Sequence, residues 1–405
     1  MAVGVAKTPE LLPIAGVRVG TACAGIKRTT RDDLVVFELA EGGSMAATFT
    51  RNAFCAAPVT VAKEHLGQAP RWLVVNSGNA NAGTGARGME HARASCQAVA
   101  ALTGGAANQV LPFSTGVIGE YLPLEKIALA LPEAVADLSE NHWHKAMTAI
   151  MTTDTRPKGA SRAVDIDGHT VTVTGIAKGS GMIHPNMATM LGYVATDARL
   201  PQPLLQQALS RAVELSFNRV TVDGDTSTND ACVLLASGYS SAPAITSADS
   251  PHYAAFAAAV EAVCKELAEA IARDGEGATK LMRIQVAKAE DEAEAHQVAN
   301  TVALSPLVKT AFFASDPNWG RILAAVGRAG CDNLDIERIT IDLNGVRIVE
   351  NGGRAPSYTE EAGVAAMAPE EIVVAIDLGR GDSACEVLTC DFSFDYVKIN
   401  AEYRT

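Results

Sequence analysis

The chain has 405 residues, with 33 Lys and Arg against 46 Asp and Glu, which gives a formal net charge of −13. Apolar residues make up 48% and charged residues 20%, a composition typical of a globular protein rather than a disordered or fibrous one. An acidic chain lacks the basic field that nucleic acid or an anionic membrane requires, so we expect neither as a partner. At roughly 150 residues per domain, the length allows two or three domains.

The sequence also bounds the compartment. Residues 1–16 lack a basic start followed by an apolar run, and no stretch reaches the roughly 18 apolar residues of a membrane span, so we expect neither a signal peptide nor a membrane helix. The eight cysteines are scattered without a CxxC pair, which argues against a zinc ribbon or a dithiol redox site. We therefore expect a cytoplasmic protein with reduced thiols and no metal or cofactor.

Predicted strands and helices alternate along the chain. Apolar runs indicate strands, a 3.6-residue period indicates a helix, Asp-Gly and Asn-Gly pairs indicate hairpin turns, and Ser before Pro indicates a capped helix start. These signals predict strands at 34–37, 72–75 and 171–173, a helix at 204–215, helices after Ser250 and Ser305, hairpins turning at Asp167-Gly168 and Asn344-Gly345, and a strand at 372–378. Mixed strands and helices favour an α/β or α+β layered protein.

A GxGxxG pattern at Gly83, Gly85 and Gly88 superficially fits a dinucleotide fold. The first glycine lies eight residues beyond Val75, however, and no Asp or Glu follows at 91–119, where a ribose-binding acid is required. A nicotinamide or flavin site is therefore disfavoured. The asparagine-rich run at 76–81 is interpreted as a structural turn.

Two further clusters suggest metal binding and fail on detail. The acidic stretch at 223–230 resembles a calcium loop, but Thr228 and Leu234 occupy positions that need Gly and Glu, although its acids remain able to bind another cation. His142 and His144 would chelate a metal from a strand, yet residues 138–149 look helical, which would point the two rings apart. We interpret them as solvated surface residues.

The most informative stretch is 178–192, where glycines, a proline and three methionines surround Thr189 and follow Lys178. Chemistry alone favours a buried structural turn, since most hydroxyls are structural. A threonine hydroxyl becomes a nucleophile when a base takes its proton, and the α-amine of an N-terminal threonine is such a base. That solution requires a cut after Ala188.

Several ordered motifs carry a resemblance to a known family over essentially the whole chain. They are NSGNANAGTG at 76–85, STGVIG at 114–119, MTTDTRPK at 151–158, KGSGMIHPNMATML at 178–191, TVDGDTSTND at 221–230, DPNWGR at 316–321 and NAEYRT at 400–405. On these motifs the chain resembles the ornithine acetyltransferases of arginine biosynthesis, the ArgJ family. Gly83 departs from the family's usual cysteine, a residue without a catalytic role.

The resemblance implies self-cleavage between Ala188 and Thr189, which makes Thr189 both an N-terminus and the nucleophile. Acetyl then moves from N2-acetyl-L-ornithine to Thr189 and on to L-glutamate in a ping-pong cycle, and acetyl-CoA is expected to serve as a further donor. Thr115 and Gly116 match the positions that stabilise the oxyanion. A monofunctional acetyltransferase without acetyl-CoA activity remains an alternative.

The substrate-binding positions implied by the resemblance are Thr152, Lys178, Thr189, Glu276, Asn400 and Thr405. Lys178 suits an α-carboxylate and Glu276 the ornithine ammonium group. Two other function classes remain open. A hydrolase would pass the acyl group to water, and a nucleotide-binding protein would use the glycine-rich segments, although no P-loop pattern is present.

For architecture, the resemblance implies a layered αββα sandwich shared by an α chain, residues 1–188, and a β chain, residues 189–405. A smaller C-terminal α/β subdomain is expected from about Lys288. The expected assembly contains two α and two β chains.

Overall fold

The computed structural model describes residues 2–4, 8–27, 29–184 and 190–402. The strands of these residues form three sheets of four, five and six strands. The first two sheets pack face to face and carry helices on their outer faces, and the third forms a lobe with its own core. The predicted αββα layering with a smaller C-terminal α/β part is therefore confirmed.

The first half of the chain builds one sheet and supplies three strands of the second. Its elements, in order, are β1 (Val17–Ala22), β2 (Leu34–Leu39), β3 (Ser44–Phe49), α1 (Ala57–His65), β4 (Trp72–Asn79), α2 (Gly85–Thr103), β5 (Val110–Val117), α3 (Leu124–Ala136), α4 (Trp143–Ala149), β6 (Lys158–Ile166) and β7 (His169–Lys178). The four-stranded sheet has the order β1-β2-β4-β5, in which β4 and β5 are parallel.

The second half completes the five-stranded sheet and builds the third. Its elements are β8 (Leu191–Thr196), α5 (Gln202–Glu214), β9 (Ala231–Ala236), α6 (Pro251–Arg273), β10 (Leu281–Ala289), α7 (Glu292–Ala303), α8 (Pro306–Phe313), α9 (Trp319–Gly327), β11 (Thr340–Leu343), β12 (Val346–Glu350), β13 (Gly353–Arg354), α10 (Glu360–Met367), β14 (Glu371–Asp377), β15 (Ser383–Cys390) and α11 (Phe394–Ala401). The five-stranded sheet has the order β3-β9-β8-β7-β6, with β8 and β9 parallel.

The two stacked sheets share an apolar core. The rings of Phe37 and Tyr193 lie 4.9 Å apart between centroids, and Phe113 meets Tyr193 edge to face at 5.6 Å. All three side chains are fully buried, so aromatic contacts join one sheet to the other at the centre of the interface. Helices α2 and α3 cover the outer face of the four-stranded sheet, and α5 and α6 cover that of the five-stranded sheet.

The six-stranded sheet has the order β13-β12-β11-β14-β10-β15 and packs against α7, α8, α9 and α10 around a separate apolar cluster. Strand β10, which lies between β14 and the edge strand β15, begins at Leu281, and Lys288 lies inside it. After β15 the chain returns to the sandwich as α11. Asp391 secures this return, because its carboxylate accepts hydrogen bonds from the backbone N–H groups of Thr279 (2.8 Å) and Lys280 (2.9 Å).

Local sequence signals predicted most element positions correctly. The strands expected at 34–37, 72–75 and 171–173 lie within β2, β4 and β7, the strand at 372–378 is β14, and the helix at 204–215 is α5. Both hairpins turn at the predicted pairs, whose residues all have positive φ, as type I′ turns require. Ser250 and Ser305 cap α6 and α8 by accepting hydrogen bonds from backbone N–H groups three residues ahead.

Two local predictions are wrong in extent. The helix expected over 138–149 begins only at Trp143, because Ser139 forms a β-bridge with Val19 and the chain turns before the helix starts. The asparagine-rich run is not wholly a turn, since β4 continues to Asn79 by pairing with β5. In both cases pairing with a distant strand overrides the local preference.

All eight cysteines are free thiols. In the part of the chain that the structure describes, no helix combines the length and apolar character needed to cross a membrane.

Candidate functional site

One cavity of about 250 Å³ brings together the sequence-predicted site residues that the structure describes. Strand ends, loops and the C-terminal helix contribute to its wall, although these segments are far apart in sequence. The predicted residues that line it are Thr115, Gly116, Thr152, Lys178, Glu276 and Asn400. Ala188, Thr189 and Thr405 lie outside the described residues.

Thr115 and Gly116 lie at the carboxyl end of β5, opposite Ser77 and Gly78 of β4. A Cβ atom on residue 116 would lie 2.3 Å from the carbonyl carbon of Gly78, and Gly116 has a φ of +136°. Only glycine fits such a close approach of two backbones at this dihedral angle. The parallel pair therefore opens into the cavity without a side chain at position 116.

Asn229 joins the two stacked sheets at the cavity. Its Nδ2 donates to the carbonyl oxygens of Ala80 (2.7 Å) and Ser114 (2.9 Å), which follow β4 and lie in β5. Asn229 lies two residues before β9 of the other sheet and lines the cavity. One buried amide thus fixes the distance between the two sheets where the site lies.

Lys178 is the last residue of β7 and is almost completely buried. Burial lowers the pKa of its ammonium group, and Lys158 adds to this, whereas the carboxylates of Asp154, Asp230 and Glu276 oppose it. The net shift is downward. Lys178 is therefore a desolvated cation whose proton is held less tightly than that of a surface lysine.

Glu276 follows α6 and presents its carboxylate to the cavity. Its backbone N–H donates to the carbonyl oxygen of Ser180 (2.8 Å), and its Oε2 accepts a hydrogen bond from Nδ2 of Asn400 (2.9 Å). A Cβ atom on residue 181 would lie 2.3 Å from Cδ of Glu276. The space beside Gly181 is thus occupied by the carboxylate itself, and the position of Glu276 depends on a glycine there.

A buried network of charges supports the cavity wall from behind. Nζ of Lys158 lies 2.7 Å from Oδ1 of Asp154 and 2.6 Å from Oδ2 of Asp274. Asp154 also accepts the backbone N–H groups of Thr152 (3.0 Å) and Gly179 (2.7 Å). It therefore orders Thr152 and the residue after Lys178, and Asp274 ties the loop before Glu276 to the same ammonium group.

The cations of this network offset the cost of burying the Asp154 carboxylate. Burial alone would raise the pKa of Asp154, but the charges of Lys158 and Lys178 and the hydrogen bonds from Lys158 and Gly179 outweigh it. The pKa of Asp154 is consequently held well below its usual range, and this carboxyl is ionised in the folded protein.

A second cavity of about 370 Å³ adjoins the first. The two share Gly116, Thr152 and Thr153, and the far side of the second carries Lys27 and Arg31. Asp33 shapes this side, because its carboxylate accepts the backbone N–H groups of Ala24 (2.7 Å) and Ile26 (2.6 Å). The glycine at the end of β5 thus faces two spaces, each of which is lined by both cationic and acidic residues.

Sequence reasoning did not single out Asp154, Asn229 and Gly181 individually. All three lie inside or beside the quoted motifs, which mark the right segments but do not separate residues that contact a ligand from residues that support them. Their roles depend on contacts with distant segments, such as Asn229 with β5. That information is absent from local spacing.

The metal alternatives raised by the sequence find no support in the geometry. Across residues 2–4, 8–27, 29–184 and 190–402, no three His, Cys, Asp or Glu side chains are arranged to hold a metal ion. His142 instead precedes α4 and contacts the carbonyl oxygen of Asp137 at 2.7 Å, and His144 is exposed. The carboxylates of Asp223 and Asp230 accept backbone N–H groups.

The buried network generates a stability prediction. Lys158→Met removes the ammonium group but keeps most of the side-chain volume, which leaves Asp154 and Asp274 buried without their shared cation. We expect the free energy of unfolding, measured by urea denaturation, to fall by about 3–5 kcal/mol. The control is Lys145→Met, which removes a surface pair with Asp137 at 2.7 Å and should cost less than about 1 kcal/mol. Equal small losses in both variants would contradict the assigned role of Lys158.

Comparisons with known proteins identify relatives of the whole chain. The family model described as the ArgJ family matches residues 18–405. The arginine biosynthesis bifunctional protein ArgJ of Methylococcus capsulatus is 66% identical over 396 residues, which cover 98% of this chain and 97% of the relative. The protein of that name from Pseudomonas syringae pv. tomato is 56% identical over 405 residues, the whole of both chains.

A solved structure gives the same result. The crystal structure of the arginine biosynthesis bifunctional protein ArgJ from Bacillus halodurans is 39% identical with a TM-score of 0.50, and the match covers 52% of this chain and 97% of that chain. Since the family model spans nearly the whole sequence and the relatives share more than half of their residues with it, this chain belongs to the ArgJ family.

Proposed function

We propose that this protein is an acetyltransferase of arginine biosynthesis that moves acetyl from N2-acetyl-L-ornithine to L-glutamate through an acetyl-Thr189 intermediate. The proposal includes self-cleavage between Ala188 and Thr189. Its main structural support is the single cavity in which Lys178, Glu276, Asn400 and the Thr115-Gly116 pair meet. Family membership and the names of the relatives support the same assignment.

The reaction follows from groups of stated chemistry. The Thr189 hydroxyl oxygen attacks the acetyl carbon, its proton passes to the α-amine of Thr189, and the amide bond breaks as ornithine leaves with that proton on its nitrogen. The amine of glutamate then attacks the ester carbon, which yields N-acetylglutamate and restores the hydroxyl. The Thr115 hydroxyl and the Gly116 N–H are suited to donate to the oxyanion of each step, and such a donor is typically worth about 3 kcal/mol.

Charge in the cavity matches both amino acids. The buried ammonium group of Lys178 suits an α-carboxylate, which ornithine and glutamate share. The Glu276 carboxylate suits the side-chain ammonium group of ornithine, and the Asn400 amide orients that carboxylate. Thr152 lines the same wall, and the roles of Thr189 and Thr405 in binding rest on the family resemblance.

Use of acetyl-CoA as a second donor forms part of the proposal. The second cavity opens from the same Gly116 and is lined by Lys27 and Arg31, whose cationic groups suit the phosphates of such a donor, together with the acidic residues Asp33 and Glu402. Its volume of about 370 Å³ lies within the usual range for cofactor-sized ligands. The word bifunctional in the names of the relatives is consistent with two donors.

The solved relative supports a cut near the middle of the chain. Almost all of that chain, 97%, matches only 52% of this one, so it is about half as long. A chain of that length is expected from one of two fragments. We also propose an assembly of two α and two β chains. A cytoplasmic location is proposed as well, and the eight free thiols support it.

The decisive experiment uses Thr189→Ala and Thr189→Ser. Wild type should give two fragments on a denaturing gel, whereas Thr189→Ala should stay one chain and lose at least about a thousandfold in kcat, because no hydroxyl carries the acetyl group. Thr189→Ser keeps the hydroxyl and should retain cleavage and measurable transfer.

Product analysis separates transfer from hydrolysis. Acetylornithine should be consumed quickly only when glutamate is present, and glutamate with acetyl-CoA should also yield N-acetylglutamate. Rapid deacetylation that ignores glutamate would favour a hydrolase, and normal turnover by Thr189→Ala would exclude the acetyl-Thr189 intermediate.

The lowered pKa of Lys178 predicts how binding responds to pH. A carboxylate needs the ammonium form, and this form is lost as pH rises through the pKa of Lys178, which burial lowers. The KM for glutamate should therefore rise at a pH below the ordinary lysine pKa of about 10.4. In Lys178→Arg the charge persists, so KM should be nearly independent of pH, even if it is higher throughout. A parallel rise in both proteins would point to another group.

Gly181→Ala tests the position of Glu276. The added methyl group would overlap the Glu276 carboxylate, so the carboxylate must move away from the ornithine ammonium group. The KM for N2-acetylornithine should rise by about tenfold or more, comparable with Glu276→Gln, because a charge-assisted hydrogen bond is lost. Gly327→Ala, where a methyl group meets open space, serves as the control and should leave KM unchanged.

A further inference from the structure

The connection between β7 and β8 spans residues 179–190 and contains the proposed cleavage bond. Its described ends are both hydrogen-bonded to one stretch of the chain, residues 221–231, which we call the clamp segment. The clamp segment ends at the first residue of β9, next to β8 in the five-stranded sheet. A single segment therefore contacts the chain on both sides of the proposed cut.

On the upstream side the clamp segment holds Ile183 through both of its peptide groups. Asp223 accepts the backbone N–H groups of Met182 at Oδ2 (2.6 Å) and Ile183 at Oδ1 (2.9 Å). The carbonyl oxygen of Ile183 accepts hydrogen bonds from the backbone N–H of Val222 (2.8 Å) and from Oγ1 of Thr221 (3.0 Å). The chain is thus fixed five residues before Ala188.

On the downstream side the clamp segment holds Met190. Oδ1 of Asp230 accepts the backbone N–H of Met190 (3.1 Å), and the carbonyl oxygen of Met190 accepts the backbone N–H of Ala231 (3.2 Å). The nitrogen of Met190 is bonded to the carbonyl carbon of Thr189. Asp230 is therefore hydrogen-bonded to the peptide group that directly follows the proposed nucleophile.

The position of the Asp230 carboxyl is unfavourable for the free energy of folding. Its side chain is fully buried, and its Oδ2 has no hydrogen-bond partner among the groups described by the structure. Burial raises the pKa of Asp230 well above its usual value, against the hydrogen bonds of Ser227 and Met190 and the charge of Lys178. A buried carboxyl oxygen without a partner costs stability, which points to a role other than holding the fold together.

We infer that Asp223 and Asp230 are positioning residues that fix the two ends of the segment containing the Ala188–Thr189 bond, and that Asp230 also positions Thr189 during acetyl transfer. This inference rests on the proposed self-cleavage. Only residues 184–189 lie between the two fixed points, and fixing both ends of so short a connection restricts how far the hydroxyl and the bond to be cut could separate. Cleavage consumes one water, which leaves a carboxylate on Ala188 and an amine on Thr189.

The two aspartates differ in what remains attached to them after the cut. Met182 and Ile183 then belong to the α chain and no longer connect to Thr189. Met190 stays covalently bound to Thr189, so the grip of Asp230 still acts on the nucleophile. Asp223 should therefore matter mainly for cleavage, and Asp230 for both cleavage and transfer.

The test follows cleavage and transfer in full-length Asp223→Asn and Asp230→Asn, which keep side-chain size and one carbonyl acceptor. Fragment formation is timed on denaturing gels after cell-free synthesis, and kcat and KM are measured on fully cleaved protein. We expect both variants to be cleaved about tenfold more slowly or worse, since an NH2 group replaces one carboxyl oxygen in each and weakens the hold on the backbone N–H groups. The kcat of Asp230→Asn should fall further than that of Asp223→Asn. In Asp230→Asn the change in KM should be smaller than the change in kcat.

Asp197→Asn is the matched control. Asp197 is a half-buried carboxylate beyond the other end of β8, and it accepts the backbone N–H of Thr172 (2.8 Å) far from the clamp segment. The Asp197→Asn protein should be cleaved at the wild-type rate. Thermal unfolding of all three variants tests whether slow cleavage merely follows lost stability, in which case the rates would track Tm across the set and the inference would be overturned.

The outcomes separate this inference from the proposed function. If Asp223→Asn and Asp230→Asn are cleaved as fast as the wild-type protein, the inference is overturned and the proposed function stands. Wild-type protein that never separates into two fragments overturns the proposed cleavage and the inference with it. Slow cleavage in both variants, a larger loss of kcat in Asp230→Asn and an unaffected Asp197→Asn support the inference.

Discussion

The walls of the candidate site depend on one buried ammonium group, that of Lys158. Because it sits between the carboxylates of Asp154 and Asp274, two loops that would otherwise carry unpaired buried charges can approach each other. Asp154 in turn orders the backbone of Thr152 and Gly179, and Asp274 lies two residues before Glu276. The candidate substrate-binding residues are thus exposed to the cavity on a scaffold whose own charges are already satisfied.

Although the protein is strongly acidic overall, positive and negative side chains are balanced in the candidate site. Lys178 and Glu276 carry opposite charges into one cavity, so a ligand with a carboxylate and an ammonium group would meet a partner for each of these two groups. Both residues are buried, and water therefore screens their interactions little. Net charge excluded nucleic acid as an expected partner but carried no information about this arrangement, which depends on where individual charges lie.

Much of the fold could be predicted from sequence where the signals are local. Turn chemistry predicted both hairpins, and capping predicted the starts of α6 and α8, because φ preferences and side-chain caps act over a few residues. The start of α4 was wrong because Ser139 pairs with a strand more than a hundred residues away. The site residues came from motif resemblance, and the supporting roles of Asp154 and Asn229 depend on contacts that only the folded chain makes.

The strand order β3-β9-β8-β7-β6 has a consequence for a chain cut between Ala188 and Thr189. Strands β8 and β9 would belong to one polypeptide and would lie between β3 on one side and β7 and β6 on the other, all from the second polypeptide. Two complete ladders of backbone hydrogen bonds would then join the fragments within a single sheet. Fragments synthesised separately would each present unpaired strand edges, which favour aggregation, so synthesis as one precursor would let these edges pair before the cut.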